Sequence, residues 1–142
     1  MTNRRFSTNI DIIKKIEFSI HEYDITFYTS SDNELFLDVV SRKQNSHNYI
    51  EGFLHHWDDS NDIKEDILPL ISSVKNEFSI NEFISSEISC AYVEKEITFF
   101  IHENDITKGK QEASKNSDRY IKTDIFEEII IKWLEFLISQ ER

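Results

Sequence analysis

Two segments of the chain share nearly the same sequence and a pattern that is typical of β-strands. Residues 16–26 (IEFSIHEYDIT) recur as residues 97–107 (ITFFIHENDIT), and eight of the eleven positions are identical. In each copy Ile, Phe and Ile stand at alternate positions, which places three apolar side chains on one face of a strand. Each copy then continues into a polar corner, His-Glu-x-Asp. Both segments are therefore predicted to be core strands that end at the edge of a sheet.

The rest of the chain adds further strands and three helices. Stretches rich in β-branched and aromatic residues predict strands at residues 25–29, 35–40 and 88–93. Apolar residues at helical spacing predict helices near residues 46–57, 66–78 and 124–138. Residues 79–87 and 108–120 have no apolar period and are predicted to be irregular. The expected fold is α+β: a single domain over residues 1–142, with an antiparallel-rich sheet of about five strands packed by about three helices.

Each of the first two predicted helices has one apolar face. In the first helix this face consists of Ile50, Phe53, Leu54 and Trp57, and the face turned outward consists of His47, Glu51 and His55. In the second helix the apolar face consists of Ile67, Leu70, Ile71, Val74 and Phe78. Pro69 fits only in the first turn, because deeper in a helix it removes a hydrogen bond and clashes with the preceding turn. The second helix is therefore predicted to begin near Asp66.

The last predicted helix has the broadest apolar face. Two adjacent rows at i, i+4 spacing run along it: Ile125, Ile129, Trp133 and Leu137, and Phe126, Ile130, Leu134 and Ile138. Asp124 and Glu127 stand at the spacing of a capping box at its start. A face of this width can lie across a sheet, so Trp133 is predicted to be buried there.

The repeat leaves two interpretations of domain organisation open. Residues 62–67 (DIKEDI) resemble residues 124–129 (DIFEEI) in pattern. Either the chain is a tandem of two degenerate sheet-and-helix halves, about 11–80 and 88–142, or the similarity arises by chance between segments rich in Ile and Glu.

Composition indicates the compartment and the class of partner. The single cysteine, Cys90, excludes an intramolecular disulfide, and no N-terminal apolar run has the length of a signal peptide or membrane span. We therefore expect a cytoplasmic protein without a membrane partner. The net charge of −11, from 27 acidic and 16 basic residues, repels nucleic-acid phosphates and anionic lipid. It favours a basic partner, although solubility alone also explains such a charge.

The sequence contains no motif of a known catalytic or cofactor site. Gly52 and Gly109 are the only glycines, too few for a phosphate-binding loop, and Cys90 has the context of a buried, inert thiol. His21 and His102 hold equivalent places in the repeat, each followed by Glu and Asp. Neighbouring side chains on a strand point to opposite faces, so a metal or acid–base site requires both corners to meet. We therefore expect no enzymatic activity, no cofactor and no metal.

Acidic residues concentrate between residues 51 and 66. Six acids stand there with one base, Lys64, which gives a local charge of −5. One interpretation is that some of these carboxylates cap the next helix. The other is that they form an exposed patch beside Trp57 that attracts Arg and Lys side chains of a partner. The two are compatible, and the predicted partner-binding residues are Trp57, Asp58, Asp59, Asp62, Glu65 and Asp66.

In its general character the chain resembles the immunity proteins of bacterial toxin systems, such as contact-dependent growth inhibition and other polymorphic toxins. The shared features are small size, acidity, few glycines, a mixed sheet-and-helix pattern and no catalytic motif, with Asp58-Asp59-x-x-Asp62 beside Trp57 as the nearest feature to a site. The resemblance implies tight binding to a cognate, usually basic toxin domain, often a nuclease, and no direct binding of nucleic acid. The alternatives are a phage or plasmid anti-defence protein that imitates nucleic-acid charge, and a small enzyme using His, Glu and Asp.

Overall fold

The computed structural model describes residues 12–43, 48–86, 89–102 and 119–140, which form two antiparallel sheets and several helices. The first sheet has the order β1 (Ile12–Ile20), β2 (Tyr23–Ser30), β3 (Leu35–Ser41). The second has the order β4 (Asn81–Ser85), β5 (Ser89–Glu94), β6 (Ile97–His102), β7 (Tyr120–Lys122). The helices are α1 (Asn48–His55), α2 (Ser60–Asp62), α3 (Leu68–Lys75) and α4 (Thr123–Gln140), with a π-helical stretch (Ile63–Ile67) between α2 and α3.

The α+β class and the antiparallel pairing are confirmed, but the prediction of a single sheet of about five strands is wrong. The described residues contain seven strands divided between two sheets. The two strands that the sequence did not predict are β4 and β7, which have five and three residues. Segments this short show too few alternations to be recognised, and they form because β5 and β6 offer them hydrogen-bonding partners. Most of the loop predicted at residues 108–120 lies outside the described residues.

Helix α4 packs against both sheets. Near its start, the Phe126 ring lies edge-on to Phe100 of β6, with centroids 5.2 Å apart. Near its end, Trp133 lies edge-on to Phe27 of β2 at 5.1 Å. Trp133 is fully buried, as predicted, and its indole N–H donates to the Trp57 carbonyl oxygen at 2.8 Å. Residues of both sheets and of the helices therefore belong to one hydrophobic core.

The middle helical segment, defined here as residues 60–75, begins earlier and ends earlier than predicted. Its π-helical turn is closed by the Leu68 N–H, which donates to the Ile63 carbonyl oxygen five residues back. The wider turn lies directly before Pro69, whose ring would clash with a carbonyl four residues back in a regular α-helix. The segment ends at Lys75, so Phe78 does not join the apolar face as predicted: its side chain is 84% exposed.

Glu51 of α1 also departs from its predicted outward position. It is buried, and its Oε2 accepts a hydrogen bond from the Val39 backbone N–H at 2.8 Å. β3 is an edge strand, so this carboxylate satisfies a backbone donor that no neighbouring strand reaches. His55 is exposed as predicted, and His47 lies outside the described residues. Of the helices in the described ranges, none combines the length and the apolar content needed to cross a membrane.

Candidate partner-binding site

The predicted acidic residues lie where α1 gives way to the middle helical segment. Asp58 and Asp59 stand in the connection between these helices, and Asp62, Glu65 and Asp66 follow on the first turns of the segment. All five side chains are exposed, because the inward positions of these turns are taken by Ile63 and Ile67, which are fully buried. We call the five the acidic cluster. Glu51, which the sequence pattern grouped with them, is not part of it.

Asp59 has a structural role as a helix cap. Its side chain accepts hydrogen bonds from the backbone N–H groups of Asn61 at 2.8 Å and Asp62 at 3.4 Å. Its own backbone is extended, with φ −107° and ψ 122°, as an N-cap residue requires. A cap of this kind stabilises a helix by about 1 kcal/mol. The capping interpretation of the sequence therefore holds for Asp59.

Within the described residues, the carboxylates of the acidic cluster form no ion pair, although Lys64 lies between Asp62 and Glu65 in the sequence. By contrast, Lys75 at the other end of the segment pairs with Asp124 at 2.7 Å and Glu127 at 2.6 Å. Hydrogen bonds to Asp124 and Glu127 raise the pKa of Lys75, although its burial acts in the opposite direction. The carboxylates at the start of the segment are thus solvated and can attract cationic groups that approach the protein.

A groove with a volume of about 340 Å³ lies beside the acidic cluster. Asp58 and Asp59 supply its carboxylates, and Leu35 and Leu137 supply its apolar lining. The remaining lining residues are Ser60, Asn61 and Gln140, whose Oε1 accepts a hydrogen bond from the Thr29 hydroxyl at 3.2 Å. Arg and Lys have an apolar stem and a cationic end, so they match a groove of this composition. We call it the acidic groove.

The sequence could not have identified the whole acidic groove. Leu35 begins β3 and Leu137 stands near the end of α4, so both are far in sequence from Asp58 and Asp59. Both read as ordinary core residues in their own elements. Only the packing of α4 across the first sheet brings them to the same place.

Trp57 belongs to the core as much as to the surface. Its ring stacks on Phe53 with a centroid distance of 6.4 Å, and its carbonyl oxygen accepts the Trp133 hydrogen bond. Its indole N–H is buried without a hydrogen-bond partner in the structure. These contacts fix the connection between α1 and α2, and thereby the positions of Asp58 and Asp59.

His21 and His102, the described histidines of the two repeat corners, do not lie in one site, and residues 103–105 of the second corner lie outside the described residues. His21 adopts a left-handed backbone, with φ 55°, in the turn between β1 and β2, and lines a cavity of about 190 Å³ with Glu22 and Tyr23. Ile97, at the start of β6, lines the same cavity, whereas His102 ends that strand, roughly 17 Å further along at about 3.4 Å per residue. No group of three or more His, Cys, Asp or Glu side chains in the described ranges is placed to hold a metal ion.

Tyr23 is the residue of this cavity with the largest change in acidity. Burial, which is the largest cause, and the charge and hydrogen bond of the neighbouring Glu22 carboxylate together raise its pKa to about 12. The phenol is therefore neutral at physiological pH and belongs to the hydrophobic core.

In the acidic groove, the predicted site residues Asp58 and Asp59 lie together with Leu35 and Leu137, which the sequence did not single out. Cys90 is buried, as its context predicts, and Trp57 is held by core contacts. Comparison of the chain with protein-family models, with curated proteins and with solved structures gives no match.

Proposed function

We propose that the protein is a non-catalytic immunity protein that binds a cognate, basic bacterial toxin domain in the cytoplasm and neutralises it by forming a tight complex. The observation that carries this proposal is the acidic cluster: five exposed carboxylates that form no ion pair with another described residue, beside a groove with an apolar lining. Carboxylates kept in this state raise the local concentration of a cationic partner. The proposal assigns no catalytic residue, metal or cofactor.

The acidic groove suggests how a basic side chain is held. An Arg or Lys entering it would lay its stem on Leu35 and Leu137 and bring its charge to Asp58 and Asp59. A partly enclosed ion pair is screened less by salt than one on open surface. The charge of the whole cluster would then speed association with the partner, and the contacts in the groove would slow dissociation.

The first test co-expresses the chain with the protein encoded by the reading frame upstream of its own gene. We expect that protein to inhibit growth when expressed alone, and growth to be restored when both are present. The two should also co-purify as a one-to-one complex. Failure to form a complex, or growth inhibition that persists despite co-expression, contradicts the proposed function.

The second test removes the charge of the cluster and keeps its shape. In the variant Asp58→Asn/Asp59→Asn/Asp62→Asn the cap at position 59 is retained, because Asn caps helices as well as Asp does. We expect association with the toxin to slow by about tenfold or more at low salt, with a weaker dependence on ionic strength and an almost unchanged Tm. Stopped-flow or surface-based kinetics measure both quantities.

A matched control removes three charges elsewhere. Glu17, Glu128 and Glu135 are exposed acids on β1 and α4, and their replacement by Gln changes the net charge by the same amount. This control should slow association much less than the Asn variant does. Equal effects would show that only total charge matters, and unchanged kinetics in the Asn variant would mean that the cluster is a solvated helix cap.

A further inference from the structure

Two large apolar side chains stand out from the surface between α3 and β4. Phe78 is 84% exposed and Ile80 is 88% exposed, whereas the next most exposed large apolar side chain in the described residues, Val40, is 48% exposed. Single half-exposed apolar residues are normal on protein surfaces. Two almost fully exposed ones within three positions form a small apolar projection that the core does not use.

The loop that carries Phe78 and Ile80 is held in one shape. The Phe78 and Ser79 backbone N–H groups both donate to the Ser73 carbonyl oxygen, at 2.8 and 3.2 Å. The hydroxyl groups of Ser73 and Ser79 lie 3.1 Å apart and share a further hydrogen bond. Glu77 has a left-handed backbone, with φ 64°, and its carboxylate pairs with Lys95 at 2.7 Å. A partner therefore meets a surface whose conformational entropy is already reduced.

Among the described residues, the strand that follows this loop has an unpaired edge. β4 is the outermost strand of the second sheet, and within the described residues no strand pairs with its outer side. The other edges are protected: Lys15 and Glu17 place charges on β1, Glu51 caps Val39 on β3, and β7 has only three residues. β4 has five residues, and Glu82 is its single charged residue. It is thus the edge best able to accept another strand.

We propose that the β4 edge surface, defined as Phe78, Ile80 and residues 81–85, binds an extended segment of the toxin as an added strand. The identification of the partner as the toxin rests on the proposed function. Backbone groups of β4 would hydrogen-bond to the segment, and its apolar side chains would contact Phe78 and Ile80. Glu82 and the net charge of −11 favour a segment that also carries Lys or Arg. The same charges disfavour a second copy of this chain as the occupant.

The β4 edge surface and the acidic groove lie no further apart than the width of one standard interface. They lie at opposite ends of the middle helical segment, whose 16 residues span about 24 Å at 1.5 Å per residue. A standard interface of roughly 800 Å² per partner is on the order of 30 Å across, so it reaches both. The two surfaces would affect different rates. The carboxylates of the acidic cluster would speed association, whereas apolar contacts and backbone hydrogen bonds at the β4 edge surface would slow dissociation.

The surface is first tested without the toxin. A displayed library of random eight-residue peptides is selected on the wild-type protein, and the selected peptides are measured on Phe78→Ser/Ile80→Ser and on the control Val40→Ser/Ile138→Ser. We expect peptides that alternate apolar and basic residues, bind wild type and control alike, and bind the first variant at least tenfold more weakly. They should also slow amide exchange at residues 81–85. Peptides that are indifferent to the first variant overturn the proposal.

The second arm uses the toxin from the co-expression test. We expect the Phe78→Ser/Ile80→Ser variant to release it at least tenfold faster with an unchanged association rate, which is the opposite of the Asn variant of the acidic cluster. If the toxin binds and leaves both forms alike, the inference is wrong and the proposed function stands. If the toxin does not bind the wild type, both are wrong. A concentration-dependent dimer that this variant abolishes would identify a second copy as the occupant and also overturn the inference.

Discussion

The two copies of the repeat, eight of eleven positions identical, turn opposite faces to the main core. In β1, Phe18 and Ile20 pack towards the core, while Glu17 and Ser19 are exposed. In β6, Thr98 and Phe100 are the buried residues that face α4 and α1. Phe99, which aligns with Phe18, lies on the other face with Tyr92 and Tyr120, at centroid distances of 6.4 and 6.0 Å.

The few positions that differ between the copies explain this reversal. Three positions differ: Glu17 against Thr98, Ser19 against Phe100, and Tyr23 against Asn104. The first two pairs lie on the face that is solvated in β1 and buried in β6. β1 is an edge strand with one packed face, whereas β6 is internal to its sheet and apolar on both faces. The shared Ile, Phe and Ile pattern therefore specifies a strand, and the residues between them decide which face meets the core.

Exchanges at the second differing position, Ser19 in β1 and Phe100 in β6, should give the largest change in the free energy of unfolding. Phe100→Ser introduces into β6 the residue that β1 has, and it removes a ring that contacts Phe53 and Phe126 at centroid distances of 5.8 and 5.2 Å. We expect a loss of about 3–5 kcal/mol in the free energy of unfolding. The reciprocal Ser19→Phe lies on the exposed face of β1 and should change it by about 0.5 kcal/mol or less. Urea denaturation measures both, and similar losses in the two would refute the assignment of faces.

Tyr23, at the third differing position, should make the free energy of unfolding depend on pH. The pKa of Tyr23 is raised to about 12 in the folded protein, above the value near 10 of an unfolded chain. Its stabilising contribution is therefore present below pH 10 and is lost as the pH rises towards 12, by about 2–3 kcal/mol. Denaturation at pH 8 and at pH 11.5 measures the loss. The loss of free energy of unfolding between these two pH values should be about 2–3 kcal/mol smaller in Tyr23→Phe than in the wild type. An identical loss in both proteins would contradict burial of this phenol.

The first differing position, Glu17 in β1 and Thr98 in β6, should give the smallest change in the free energy of unfolding. The Thr98 and Thr123 hydroxyl groups lie 2.8 Å apart in the core, and the Thr123 hydroxyl also donates to the Glu94 carbonyl oxygen at 2.6 Å. Thr98→Val keeps the shape and removes one hydrogen bond, so we expect a loss of about 1 kcal/mol. Glu17→Thr, the matching exchange in β1, should be nearly neutral. A neutral Thr98→Val would mean that the hydroxyl pair adds nothing to the second sheet.

For the predicted site, as for the repeat, the sequence shows a local pattern but not which neighbours pack against it. Charge density predicted Asp58, Asp59 and Asp62 as partner-binding residues, because a run of acids is a local property of the sequence. It also included Glu51, which the fold buries beneath the edge of β3, and it gave no reason to consider Leu35 or Leu137. Which carboxylate is solvated depends on what packs against it, and those neighbours are remote in the chain.

What the sequence determined by itself was the set of strongly periodic elements: α4 with a buried Trp133, the apolar stripe of α1, the β5–β6 hairpin, and an acidic connection before the middle helical segment. The tertiary structure decided the division into two sheets, the opposite faces of the two repeat copies, and the exposure of Phe78. Periodicity reports that an element has an apolar face. It cannot report which of several apolar surfaces that face will meet, because that choice is made by long-range packing.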